Sequence, residues 1–175
     1  MNSSCNCQCK CGKKVFRLKS VSSCPVCPCS CFVQPQEVPT TFTTGAIWRN
    51  PATDTIVVTV LNKTNAPQTV TVSAVNWQNC VQAEMPKDAY LCGDVVNPDD
   101  GPILTPFTFT IPAKKLLVVH ATLQNAWMPG DPCYEVLVTM PTDPCIANTW
   151  GINAAGIPQE GNTVFHHQFR PTVLI

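Results

Sequence analysis

After about residue 40, apolar and polar residues alternate in short runs of the kind that form strands. Residues 55–62 (TIVVTVLN), 68–77 (QTVTVSAVNW) and 107–111 (FTFTI) are rich in β-branched side chains, and the second and third nearly keep a period of two. Residues 63–67 (KTNAP) supply turn formers between the first two runs, which predicts a hairpin. Such alternation buries one face of each strand.

Five further runs bring the set to about eight strands, and no segment has a convincing helical pattern. Residues 115–123 (KLLVVHATL) are apolar almost throughout, so we expect that strand to be buried on both faces. The other runs are residues 46–49, 134–140, 150–154 and 164–169. Together they predict an all-β, two-sheet antiparallel sandwich, and the strand count favours a jelly roll over an immunoglobulin-like arrangement.

The longest stretch without strand signals, residues 79–106, contains six Pro or Gly residues and is expected to be an irregular excursion over one end or edge of the sandwich. Large aromatic residues elsewhere are candidates for the core. These candidates are Trp48, Trp77, Phe109, Trp127 and Trp150.

Cysteine separates an N-terminal arm from this body. Eight of the twelve cysteines lie in the first 31 residues, among prolines that favour extended backbone and with little apolar material for a core. We therefore predict a flexible, extended, cysteine-rich connector arm over residues 1–36 and a β-sandwich domain over residues 37–175.

Charge follows the same division. The chain is neutral overall and only 13% of its residues are charged, which removes the repulsion that keeps many proteins apart. The arm has five basic side chains and no acidic one, so it carries +5 and the body −5. These unlike surfaces predict a head-to-tail homopolymer. Nucleic-acid binding is not expected, because the basic residues lack interleaved aromatic side chains.

The N-terminus lacks the apolar run of a signal peptide, and no stretch approaches the ~20 apolar residues of a membrane span. The sequence thus predicts a chain made in the cytosol, without a membrane span. Disulfides are rare in that compartment, so the twelve cysteines require another explanation.

The first cysteine cluster has a strict period of two. In an extended strand its sulfurs share one face, and successive ones lie roughly 6.5 to 7 Å apart, too far for easy pairing. The cluster consists of Cys5, Cys7, Cys9 and Cys11, and a second cluster consists of Cys24, Cys27, Cys29 and Cys31. Two interpretations stay open, covalent links between subunits and a metallothionein-like thiolate tract that binds soft metal ions.

The body has four more cysteines. Cys80 and Cys92 bracket eleven residues and are candidates for a local disulfide. Cys133 and Cys145 occur in a repeated Asp-Pro-Cys motif, where each is expected to begin a strand, at opposite ends of the sandwich. They are candidate acceptors for the arm of another subunit, and the alternative is that they are buried free thiols.

No catalytic constellation accompanies these cysteines. His120 lies within an apolar run, and His166 and His167 are adjacent, so in a strand they would face opposite sides. Hydrolase, zinc-protease and nucleotide-binding motifs are missing from the sequence. We expect no enzymatic activity, no cofactor and no metal site in the body.

A cytosol-made chain with a cysteine-rich arm, Cys5 to Cys11 and Cys24 to Cys31, ahead of an eight-strand pattern resembles the endospore appendage (Ena) fibre subunits of spore-forming bacilli. This resemblance implies a jelly-roll body that stacks helically while its N-terminal connector forms disulfides with preceding subunits. It also implies a disulfide-linked, pilus-like fibre on the spore surface, with other spore-surface proteins as further candidate partners.

Overall fold

The computed structural model describes residues 7–11, 14–18, 39–78, 81–98, 101–123, 133–141 and 145–172. The chain divides into two compact units, Met1–Glu37 and Val38–Ile175. In the first unit, strands β1 (Cys7–Cys11) and β2 (Lys14–Leu18) pair antiparallel as a hairpin.

In the described part of the second unit the regular secondary structure is strand, apart from a short 3-10 helix at His166–Gln168. Its strands are β3 (Thr40–Thr43), β4 (Ile47–Trp48), β5 (Thr55–Asn62), β6 (Gln68–Gln78), β7 (Val81–Glu84), β8 (Lys87–Leu91), β9 (Asp94–Val95), β10 (Phe107–Ile111), β11 (Leu116–Thr122), β12 (Cys133–Met140), β13 (Cys145–Ile152) and β14 (Arg170–Pro171). No helix in the described ranges has the length and apolar character needed to cross a membrane.

These strands form two antiparallel sheets that pack against each other. The β6 sheet has the order β10-β6-β12-β3-β14, with β4 also paired to β12 and β7 to β6. The β5 sheet has the order β13-β5-β11-β8-β9. The predicted all-β sandwich is confirmed.

The strand pairing is nested from the outside inwards. The first strands, β3 and β4, pair with β12, while β5 pairs with β11, β6 with β10 and β8 with β9. Long hairpins wrapped in this way over two sheets form an eight-stranded jelly roll. Strand β13 lies outside this set and extends the β5 sheet beside β5.

The core between the sheets is mainly aliphatic. Its fully buried side chains include Val58 on β5, Val72 on β6, Val119 on β11 and Val136 on β12. Tyr134 is fully buried with them. Alternation along these strands directs every second residue into this layer.

The expectation of an aromatic core is wrong for Trp48, which is 74% exposed. Trp77 and Trp150 are half-buried, and Phe109 packs only against the edge of the core. Trp127 lies outside the described residues. β-branched residues fill the space between the sheets, so Trp48, Trp77 and Trp150 lie on the outer surfaces or at their margins.

Four other expectations need correction. Residues 79–106 are not wholly irregular, because β7, β8 and β9 lie within them. Residues 116–122 alternate between buried and half-buried, so that strand is not buried on both faces. The strand predicted at residues 150–154 begins at Cys145, and residues 164–169 contain a 3-10 helix in place of a strand.

A buried ion pair marks the point where the chain passes from the β6 sheet to the β5 sheet. The ammonium of Lys87, fully buried at the start of β8, donates to the carboxylate of Glu84 and to the Met85 carbonyl (2.9 Å). The Glu84 carboxylate also accepts hydrogen bonds from the Ser73 hydroxyl (2.7 Å) and from the Ala74 amide (3.2 Å). A charge with these partners satisfies its hydrogen bonds at an otherwise apolar position.

The C-terminal segment covers the outer edge of β13. Thr149 and Val164 exchange backbone hydrogen bonds, and the Gly151 amide donates to the Asn162 carbonyl (3.0 Å). The buried Asn162 side chain also donates to the Trp48 carbonyl (3.1 Å) and accepts from the Thr53 hydroxyl (2.8 Å). An edge protected in this way is unavailable for further strand pairing.

Candidate functional site

The hairpin places three of the predicted arm cysteines on one strand. Cys7, Cys9 and Cys11 occupy alternate positions of β1, and their register partners on β2 are Leu18, Phe16 and Lys14. No cysteine of β1 therefore faces another cysteine across the ladder. The remaining arm cysteines, Cys5, Cys24, Cys27, Cys29 and Cys31, lie outside the described residues.

Cys133 is the first residue of β12, as its Asp-Pro-Cys motif predicted. It is half-buried, and its register partner on β4 is the exposed Trp48. Two residues after Cys133 on β12, the Glu135 carboxylate accepts hydrogen bonds from the Trp77 indole (3.2 Å) and from the Thr43 hydroxyl. Cys133 thus lies on the outer surface of the β6 sheet, where a partner from another chain can approach it.

Cys145 is the first residue of β13 and belongs to the core. It is only 1% exposed, and burial raises the pKa of its thiol. Since the thiolate is the reactive form, this environment disfavours both access and reaction. Because β12 runs from Cys133 to Met140 before the chain turns into β13, the two cysteines lie at opposite ends of the sandwich, as predicted.

Cys92 occupies the tight turn between β8 and β9, where Leu91 pairs with Asp94. The φ angles of Cys92 (51°) and Gly93 (104°) are both positive, as a two-residue type I′ hairpin requires. Asn or Gly usually fills the first of these positions, so cysteine is strained there. Cys92 is exposed, and the pairing predicted for it with Cys80 involves a residue outside the described part of the chain.

The prediction of an irregular segment over residues 79–106 did not include this exposed turn. A sequence signal was present, since Cys92-Gly93 follows the apolar pair Tyr90-Leu91 and precedes Asp94 and two valines. A dipeptide ending in Gly between short strand-like runs is a hairpin signal. The strand before the turn was not predicted, because it begins with the buried Lys87 and a lysine is not expected at a core position.

The histidines occupy three different environments. His120 lies on the outer face of the β5 sheet, half-buried against the Tyr90 ring at a centroid distance of 5.2 Å. Burial lowers the pKa of His120, and the nearby Asp88 carboxylate partly opposes that shift. Nδ1 of His166 accepts from the Ala147 amide (3.2 Å), while the His167 ring stacks on Phe165 at 6.2 Å.

Metal-ligand side chains are dispersed over the described part of the body. No group of three or more His, Cys, Asp or Glu side chains there is close enough to hold a metal ion. The geometry supports thiol chemistry at separate surface positions, with Cys133 and Cys92 accessible and Cys145 enclosed.

The two outer faces of the sandwich also differ in chemistry. On the β6 sheet, four threonines form a row across β3, β12, β6 and β10, with hydroxyl pairs 2.7 Å apart (Thr41 and Thr139) and 2.8 Å apart (Thr71 and Thr108). The outer face of the β5 sheet is mixed: Ile146, Leu61 and Leu116 form an apolar row, and the next row has the polar Asn148 and Thr59 beside Val118.

Comparisons with protein families, with curated proteins and with solved structures find no match to this chain.

Proposed function

We propose that this chain is a structural subunit that assembles head to tail into a disulfide-linked homopolymer, in which the arm of one copy is joined to the body of another. The observation that carries the proposal is the register of the hairpin. Cys7, Cys9 and Cys11 lie at every second position of β1, opposite residues of β2 that are not cysteines. Thiols placed in this way are poorly spaced to pair with one another.

Of the two predicted body acceptors, Cys133 suits this role better than Cys145. Cys133 is half-buried on an outer sheet face, whereas Cys145 is enclosed in the core with its thiol pKa raised. Disulfide exchange needs a thiolate and a path for the incoming sulfur. Cys145 is then a core residue whose thiol stays reduced.

The chemistry of each link is an oxidation of two thiols. Two S–H groups lose two protons and two electrons while one S–S bond forms, and an external disulfide such as oxidised glutathione accepts both electrons and is reduced to two thiols. The opposite charges of the arm (+5) and the body (−5) favour their encounter before oxidation. The salt dependence of assembly should therefore disappear once the links have formed.

The resemblance to endospore appendage subunits extends this proposal to a location. A polymer assembled inside the cell that produces the spore and retained on the spore surface accommodates twelve cysteines, because disulfides persist on surfaces exposed to an oxidising environment. The chain is then the repeating subunit of a pilus-like fibre.

The test compares the reduced full-length protein with the same protein exposed to oxidised glutathione. We expect a ladder of SDS-resistant multimers on a non-reducing gel, which a strong reductant collapses to monomer. Fibres seen by negative-stain electron microscopy in the oxidised sample would support the proposal. An oxidised sample that stays monomeric would overturn it, and several equivalents of tightly bound zinc on that monomer would favour the metallothionein-like alternative.

A matched pair of variants identifies the acceptor. Cys133→Ser should shorten the ladder, because it removes the accessible body thiol. Cys145→Ser should leave the ladder unchanged, since its sulfur is enclosed. The reverse outcome would assign the link to Cys145 and require the start of β13 to open.

A further inference from the structure

Two tryptophans flank Cys133 on the β6 sheet. Trp48 is the register partner of Cys133 on β4, and its side chain is 74% exposed. On the other side, Trp77 directly follows Asn76, the register partner of Tyr134, so Trp77 lies level with Cys133 on β6. Opposite residues on neighbouring strands have Cβ atoms about 5 Å apart. Both tryptophans are therefore immediate neighbours of Cys133.

The three side chains share the outer face of the sheet. Tyr134 is buried between the sheets, so alternation along β12 turns Cys133 and Glu135 outwards. Trp48 is exposed beside Cys133. The Trp77 indole donates a hydrogen bond to the outward Glu135 carboxylate (3.2 Å), and this bond fixes the orientation of the half-buried ring.

We call Trp48, Cys133 and Trp77 the tryptophan cleft. The strands that carry the two rings, β4 and β6, lie on either side of β12 and are about 10 Å apart at ~4.8 Å between neighbours. Cysteine is much smaller than tryptophan, so the middle position is recessed between two aromatic side chains. Tryptophan is enriched in interfaces and in their most important contacts, which makes the tryptophan cleft a candidate binding surface.

Aromatic side chains on both sides of a cleft suit a proline-rich peptide. Such peptides dock in aromatic-lined grooves, because their backbone is already extended and loses little entropy on binding. The second cysteine cluster of the arm contains two Cys-Pro dipeptides, Cys24-Pro25 and Cys27-Pro28. The first cluster, over residues 5–11, contains no proline. The chemistry of the tryptophan cleft therefore favours the second cluster.

We propose that the tryptophan cleft of one copy binds residues 24–28 of another copy and places Cys24 or Cys27 against Cys133. Trp48 and Trp77 then determine which arm thiol is joined to the body. The two thiols lose two protons and two electrons as the S–S bond forms, and oxidised glutathione accepts both electrons and becomes two thiols. This inference rests on the proposed function, because it names the donor segment and the residues that select it.

The direction of the chain indicates that the bound segment comes from another copy. Thr40, the first residue of β3, pairs with Met140, so the chain enters the sandwich at the Met140 end of β12. Cys133 lies at the other end of that strand, about 23 Å away at ~3.3 Å per residue. A link to the same chain's Cys133 would require the segment before β3 to reverse and run back along the whole sheet.

A head-to-tail stack avoids that reversal, because the Met140 end of one copy meets the Cys133 end of the next. Cys27 precedes Thr40 by thirteen residues, which span up to about 43 Å at ~3.3 Å per residue. This length is sufficient to reach the tryptophan cleft of a neighbouring copy.

The first experiment maps the links formed by the full-length protein. Isotope-labelled and unlabelled chains are reduced, mixed, exposed briefly to oxidised glutathione and alkylated, and the disulfide-linked peptides are identified by mass spectrometry. We expect Cys133 to be joined mainly to Cys24 or Cys27, in pairs that combine both populations. Links from Cys133 mainly to the first cluster would overturn this inference and leave the disulfide ladder of the proposed function intact. A chain that forms no multimers would overturn both.

A matched pair of variants tests the tryptophans. Trp48→Ala should lower the initial rate at which Cys133 forms links about tenfold, because it removes one aromatic side of the cleft. The exposure of Trp48 means that the fold should be retained, and a thermal scan checks this. Trp150→Ala, a change at a half-buried tryptophan on β13 of the other sheet, should leave the rate unaltered. An unchanged rate in Trp48→Ala would overturn the inference even if the ladder persists.

A peptide separates recognition from disulfide chemistry. A synthetic peptide of residues 22–30 with serine in place of each cysteine cannot form a link, yet it should slow the formation of Cys133 links as its concentration rises. The same peptide with Pro25→Ala and Pro28→Ala should inhibit much less. Equal inhibition by the two peptides, or none by either, would overturn the inference that the tryptophan cleft recognises a Cys-Pro segment.

Discussion

The buried ion pair between Lys87 and Glu84 should be essential to the fold of the body. Replacing Lys87 with Met removes the cation but leaves the Glu84 carboxylate, whose side chain is only 17% exposed, with the Ser73 hydroxyl and the Ala74 amide as its remaining partners. Breaking a buried pair on one side costs about 3 to 5 kcal/mol, because an uncompensated charge remains. This is a large part of the roughly 5 to 15 kcal/mol that stabilises a typical domain.

The double variant Lys87→Met with Glu84→Gln separates the pair from the packing around it. Removing both charges should restore a large part of the loss, since no isolated ion is then buried. Burial lowers the pKa of Lys87, so the native state binds fewer protons than the unfolded chain below the ordinary value of 10.5. The free energy of unfolding should therefore rise with pH towards 10.5 relative to the Lys87→Met variant.

Urea unfolding of the reduced protein, followed by tryptophan fluorescence, measures these differences. We expect the midpoint temperature of Lys87→Met to fall by roughly 10 to 20 °C in a parallel thermal scan. A loss below about 1 kcal/mol, with a double variant no more stable than the single one, would refute the reasoning, because the pair would then contribute no more than a surface salt bridge.

Three smaller perturbations test other positions by the same unfolding measurement. Cys92→Asn should stabilise the body by about 0.5 to 1 kcal/mol, because asparagine tolerates the positive φ, while Cys92→Val should destabilise it. Gly151→Ala should cost about 1 to 3 kcal/mol, since a Cβ there would lie 2.7 Å from Thr53 and 2.9 Å from the Asn162 side chain; an unchanged midpoint would mean that this contact relaxes freely. Because burial raises the pKa of Cys145 from 9.0, the advantage of the wild type over Cys145→Ala should be constant below pH 9 and fall above it, and a pH-independent difference would contradict this.

The period-two runs were sufficient to predict the long strands of the sandwich. β5, β6, β10 and β12 begin and end within a residue or so of the predicted bounds, because alternating β-branched residues favour a half-buried strand almost regardless of context. The count of such runs favoured a jelly roll, and the nested pairing confirms it.

Elements that depend on tertiary contacts could not be predicted from the sequence. β3 (TTFT) is mostly polar and is held by pairing with β12, while β8 has Lys87 at a core position that the Glu84 carboxylate and the Met85 carbonyl make tolerable. The C-terminal segment that contains His166 was expected to be a strand, yet it follows the edge of β13 through bonds to residues nearly twenty positions earlier.

For the candidate sites, the sequence alone determined which residues are cysteines, their spacing of two in the arm and the unequal charge of arm and body. It placed Cys133 and Cys145 correctly at the starts of two strands. Only the tertiary structure decided that Cys145 faces the core, that Cys133 faces outwards and that Cys92 is exposed in a strained turn. The physical reason is that which face of a strand is buried depends on the sheet packed against it, and residues distant in sequence supply that sheet.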